Sequence, residues 1–141
     1  MTNKLPSLLA LILMAIFATG CTKQIETTHA LSGTWEWKST DGGLGFHLQQ
    51  TPATTGTTQQ LELKSNLQYV RYTNNAVSEE GTYSLTEQAC IHDGQKKNVI
   101  HFSGSPQTYM VEKIAQQQLV LSDEHYDGVE ILYERKNEAH N

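Results

Sequence analysis

Cysteine, basic residues and long apolar runs are all scarce in this 141-residue chain, and each scarcity excludes something. Two cysteines, Cys21 and Cys90, allow at most one bridge. Ten Lys and Arg against fifteen Asp and Glu leave a net charge of −5. The acidic residues are spread along the chain and no basic patch or stripe stands out, which argues against a nucleic-acid partner. One apolar run, residues 8–17, is too short to cross a bilayer, and no second run is longer. No segment carries a convincing helical period, residues 114–118 offering at most one turn. A Gly-x-Ser-x-Gly elbow is also missing, so the commonest serine nucleophile is excluded.

What the chain does have is alternation. Trp35 and Trp37 alternate with Glu36 and Lys38, and Leu44, Phe46 and Leu48 with Gly45, His47 and Gln49. Leu61 and Leu63 follow, then residues 67–72, then Gly81, Tyr83 and Leu85. Residues 99–102, Tyr109 with Val111, Leu119 with Leu121, and Val129, Ile131, Tyr133 and Arg135 complete the series. Period-2 patterning at this density predicts eight or nine half-buried antiparallel strands, that of residues 44–49 being the weakest. Asp41-Gly42, Asp93-Gly94 and Asp127-Gly128 are pairs that tolerate positive φ, as tight hairpins require. Ser65-Asn66, Asn74-Asn75 and residues 103–106 are further turns, and residues 51–58 read as a mobile surface loop. Sequential strands with short hairpins settle their edges best by closing, so the expected fold is an all-β, antiparallel up-and-down β-barrel; a two-sheet sandwich is the alternative.

The first twenty residues read separately. Lys4 makes a positive start, residues 8–17 an apolar core, and Ala18-Thr19-Gly20-Cys21 a run of small residues ending in cysteine. That ending resembles the lipobox of bacterial lipoproteins. The resemblance implies that residues 1–20 are a signal peptide removed on export and that Cys21 carries the acyl chains, palmitate among them. Removal takes away one lysine and no acid, so the remaining chain is one unit more negative. Thr22 gives no inner-membrane retention cue of the Asp type, which places the anchor in the cell outer membrane. An ordinary secretory signal ending beside an unrelated cysteine is the alternative, and under it a Cys21–Cys90 bridge becomes open. Residues 21–30 are polar and aperiodic and read as a flexible tether, residues 31–136 as the barrel domain, and residues 137–141 as a disordered tail.

Gly33-Thr34-Trp35 at the head of the first strand, with Arg135 in the last, resembles the lipocalin and calycin pattern. In that family a Gly-x-Trp tryptophan packs near a basic residue of the final strand and closes one end, so the resemblance assigns barrel closure to Trp35 and Arg135. Residues 35–37, 41–43, 51–56 and 119–128 together are similar to small lipocalin-like lipoproteins of Bacteroidetes-type bacteria. Barrels of this kind hold a ligand within the strands. The faces phased inward carry Trp37, Phe46, Tyr69, Tyr83, Tyr109 and Tyr133, which would form an aromatic cup for a small hydrophobic or amphipathic ligand. The competing reading is that these rings simply fill an eight-stranded barrel, whose interior is just wide enough to be packed by side chains. Tyr69 is the least determined of them, since Val70 and Tyr72 alternate with it.

Six histidines meet no metal-ligand spacing, and Asp123-Glu124-His125-Tyr126-Asp127 fails the calcium-loop pattern. Cys90 and His92 share a strand face, yet nothing identifies a third group to orient the base, so Cys90 reads as a small buried apolar group. The sequence therefore points to a monomeric, lipid-anchored binding protein, not an enzyme, with no metal and no cofactor. Its alternative is a filled-barrel interaction module, an inhibitor or accessory subunit, that presents residues 51–58 and 122–128 to a partner protein.

Overall fold

The computed structural model describes residues 18–137; the expected signal segment up to residue 17 and the tail from residue 138 lie outside them. A helix, α1 (Ala18–Leu31), leads into β1 (Gly33–Gly42). A 3-10 turn (Leu44–Phe46), β2 (Leu48–Gln50) and the short helix α2 (Pro52–Thr55) follow. Seven more strands complete the domain: β3 (Gln59–Leu63), β4 (Gln68–Thr73), β5 (Ala76–Ala89), β6 (Lys96–Phe102), β7 (Thr108–Ile114), β8 (Gln118–Ser122) and β9 (Val129–Arg135).

All pairings are antiparallel, and from β3 onward each strand pairs with the next. β9 returns to β1, with Trp35 opposite Arg135 and Gly42 opposite Val129. This closes an eight-stranded barrel with one extra strand, an architecture compatible with the lipocalin-like calycin fold. The extra strand has a simple origin. β2 pairs with residues 40–42 of β1 and β3 with residues 33–36, so the two follow one another along the same edge. Residues 51–58 are an excursion between them. They are not an unstructured loop: Thr51 caps α2 in a reciprocal capping box with Thr54, and Gly56 ends it in the left-handed conformation.

Inward positions make one continuous core that takes in Trp35, Leu61, Tyr69, Ile100, Leu119 and Tyr133. Leu31 of α1 joins it with no exposed surface. A second, smaller cluster of Cys90, Val99 and Met110 has a different position. Val99 and Met110 alternate with the inward Ile100 and Tyr109, so they face outward and are covered from outside by the tip of the β5–β6 hairpin. Cys90, expected as a small buried apolar group, is buried here.

Two expected elements differ. Residues 21–30, read as a tether, are helical. Their carbonyls at the helix end, which would otherwise be orphaned, are taken up by barrel side chains described below. Residues 44–49 are a 3-10 turn and a three-residue strand in place of one alternating strand. Positive φ at Gly43 and Gly45 breaks the extension that alternation alone implies. Phe46, assigned to the cup, thus sits in that turn and not in a barrel strand.

Candidate functional site

The barrel has one sealed end and one open end, and an arginine sits at each. At the sealed end the Arg135 guanidinium lies 4.0 Å from the Trp35 ring centroid. It donates to three carbonyls: Nε to Gln116 at 2.7 Å, Nη1 to Ser32 at 2.6 Å and Nη2 to Ala30 at 2.9 Å. Trp35 Nε1 donates to the Leu31 carbonyl at 2.7 Å. The pair therefore does more than stack. It caps the C-terminus of α1, where a cation also suits the helix dipole. Gly33, at φ +138°, leaves the space that the guanidinium enters, and a Cβ there would collide with Nη1. Burial pushes the Arg135 pKa down, but far too little to neutralise a guanidinium.

The open end is built around Arg71. β4 sends Tyr69 and Arg71 inward together, which settles Tyr69 as a core residue and leaves Val70 on the outer face. Arg71 lies over Phe102 at 4.4 Å and stands 5.9 Å from the Tyr69 and Tyr109 ring centroids. Its Nε is 3.5 Å from Glu79 Oε2, a charge pair without hydrogen-bond geometry, and Nε is buried with no partner. The Tyr69 hydroxyl donates to Glu79 Oε1 at 2.7 Å. Burial, and then this bond to a carboxylate, raise the Tyr69 pKa. Above the guanidinium opens a vestibule of about 260 Å³, bounded by Leu61, Arg71, Thr73, Glu79 and Tyr133 with Gln59 and Gln60 at its edge.

The assigned cup residues separate clearly at this point. Trp37, Tyr69, Tyr83, Tyr109 and Tyr133 all belong to the packed core. The polar ends of four are already used within the protein: Trp37 on Thr40, Tyr69 on Glu79, Tyr83 on the Lys64 carbonyl, and Tyr109 on Gln107. Tyr133 alone lines the vestibule, and among the described residues its hydroxyl has no hydrogen-bond partner. Burial raises its pKa to about 12. Sequence reasoning missed Arg71 and Glu79. A signal existed, since Arg71 is two residues from Tyr69 and must share its face, but a charged residue is ordinarily phased outward.

A second depression lies outside the barrel. It has a volume of about 460 Å³ and is bounded by Asp41, Cys90, His92, Glu112, Asp123 and Tyr126, among others. The hairpin tip reaches it through Ile91 N–H, which donates to Glu124 Oε2 at 3.1 Å. Lys97 bridges Asp93 and Glu112 on its floor, and these carboxylates raise its pKa. Cys90 and His92 both border this cleft, while His101 bonds Thr86 elsewhere. Among the described residues, no three His, Cys, Asp or Glu side chains converge to hold a metal. No family model, curated protein or solved structure matches the chain.

Proposed function

We propose that this protein is an envelope binding protein, anchored in the bacterial outer membrane through lipid on Cys21, that holds a small amphipathic ligand with an acidic group at the mouth of its barrel. The observation that carries this reading is the state of Arg71. A guanidinium has five donors, and among the described residues Arg71 uses none of them in a hydrogen bond. Rings hold it from below and Glu79 from the side, so it is pre-positioned, and a carboxylate, sulfonate or phosphate entering the vestibule would meet a ready fork. The Tyr133 hydroxyl offers a second donor, and Leu61 an apolar wall. The rings deeper in the barrel act as packing. The ligand is accordingly small, because the vestibule, at about 260 Å³, falls below the lower bound of ordinary ligand-pocket volumes, about 300 Å³.

The test uses 8-anilinonaphthalene-1-sulfonate, an anionic amphipathic fluorophore. Saturable enhancement that is lost in Arg71→Met, with circular dichroism unchanged, supports the site. Equal binding by wild type and variant removes it. Native mass spectrometry of protein purified from its host reads the natural occupant.

A second reading rests on the outer cleft. Leu44 is 82% and Tyr126 84% exposed, on loops joined by the Gly43 N–H to Gly128 carbonyl bond. Ile91 stands beside them on the hairpin tip. Such a rim suits a partner protein, and Tyr126→Ser with Leu44→Ser would abolish its capture without touching the vestibule.

A further inference from the structure

The sealed end of the barrel carries an exposed apolar feature that closure does not use. α1 crosses this end, tied at one side by Lys23 to Glu87 at 2.6 Å and at the other by Arg135 to the Ala30 carbonyl. Between α1 and the β3–β4 turn runs a groove of about 320 Å³, bordered by Gln24, Ile25, Thr28, His29, Ser65 and Leu67. Ile25 is 54% and Leu67 40% exposed.

Leu67 is the unexpected member. It holds φ +65°, a left-handed conformation that a tight turn ordinarily gives to glycine or asparagine. Among the described residues, the other two non-glycine residues with positive φ are asparagines, Asn74 and Asn75. A strained leucine at an exposed turn tip signals a side chain wanted for its surface, not for the fold. The chain itself indicates what meets that surface. Ile25 lies one helical turn after Cys21, the position that carries the acyl chains under the anchoring reading, so the point of lipid attachment leads directly into this end.

We propose that the face formed by Ile25 and Leu67 is the bilayer-contacting surface of the anchored protein, so that the barrel stands with its sealed end on the lipid and the Arg71 vestibule turned away. This rests on the anchoring reading. The proposed contact is apolar: the two lysines next to groove residues in the sequence, Lys23 and Lys64, are paired with Glu87 and Glu62, while Ile25 and Leu67 supply its exposed side chains. Side chains of this type enter the headgroup–acyl boundary by about 5–10 Å. Orientation then follows from geometry, with a ligand reaching the mouth from the aqueous side.

The test takes the full chain, purified from host membranes with its lipid, and reconstitutes it in phosphatidylcholine vesicles with brominated acyl chains. Leu67→Trp and Val77→Trp place reporters at opposite ends, Val77 being exposed at the β4–β5 turn beside the mouth, and Ile25→Trp serves if the turn rejects a larger ring. The buried Trp35 and Trp37 give a constant background. Emission at least halved at Leu67→Trp or Ile25→Trp, unchanged at Val77→Trp and insensitive to salt, is the expected result. Vesicle co-sedimentation without quenching at position 67 or 25 overturns the docked floor and leaves the anchor standing. Equal quenching at both ends overturns the orientation. Absence of co-sedimentation removes anchor and docking together. A dimer that Leu67→Lys dissolves, without quenching, gives the groove to a second copy and overturns the lipid contact.

Discussion

Two arginines lie over aromatic rings at opposite ends of one barrel, and their hydrogen bonds distinguish them. Arg135 over Trp35 spends its donors on three backbone carbonyls. Arg71 over Phe102 has one carboxylate nearby and a buried nitrogen with no acceptor. The stacking distances are similar, so stacking does not decide their roles. Satisfaction does: a cation with all three nitrogens bonded to carbonyls holds structure together, and one with no hydrogen bond made stands ready for something else.

The largest expected effect breaks the sealed end. Arg135→Met leaves the Ala30, Ser32 and Gln116 carbonyls without their donor and uncaps α1, which should cost about 3–5 kcal/mol in urea unfolding. Leu31→Ala follows. It empties a fully buried position where the helix meets the core, and about 2–5 kcal/mol is expected by the same measurement, with α1 amides losing exchange protection first. If Leu31→Ala leaves those amides protected, the helix is held by its hydrogen bonds alone.

The alkaline limb comes next. Tyr133 binds its proton more tightly folded, at about 12, than unfolded, at 10.0. The unfolded chain therefore ionises first, and stability complete below pH 10 declines as pH climbs toward 12. The full shift corresponds to about 2–3 kcal/mol, with Tyr69 and Tyr83 adding in the same direction. Tyr133→Phe should shallow that slope and leave neutral-pH stability nearly unchanged, and an identical slope would mean another group carries it. At the open end Arg71→Met should shift stability by no more than about 1 kcal/mol, since Glu79 retains the Tyr69 hydroxyl, while abolishing anionic-probe binding. A loss as large as that for Arg135→Met would make both arginines structural and cancel the contrast. Smallest of all, Lys23→Ala breaks an exposed ion pair with Glu87 and should leave the unfolding curve where it was.

Legibility in the sequence tracked how local the cause was. Asn74-Asn75 reads as a turn and is one, because two consecutive positive φ values need only those residues. Alternation located the strands, and the Gly-x-Trp head with a terminal arginine pointed to contact between Trp35 and Arg135, which the structure places in register. The helical state of residues 21–30 was not legible, since Lys23, Gln24, Thr27 and Thr28 carry no apolar stripe. That helix depends on Leu31 entering a core assembled from the strands, and on Trp35 and Arg135 for its C-terminal cap. The outward burial of Val99 and Met110 was hidden for the same reason: the hairpin tip that covers them is a distant neighbour, visible only once the barrel has formed.

Most strand positions, the turns at Asn74-Asn75 and Asp93-Gly94, and the acidic balance were determined by the amino-acid sequence alone, because period, φ preference and charge are properties of short stretches; Asp41-Gly42, expected as a turn, lies within β1. Tertiary structure decided which ring became packing and which a wall, by supplying or withholding hydrogen-bond partners from other strands. It also turned Arg71 to the inner face, where the cost of partly burying a charge is offset by three rings and a carboxylate that no window of sequence contains together.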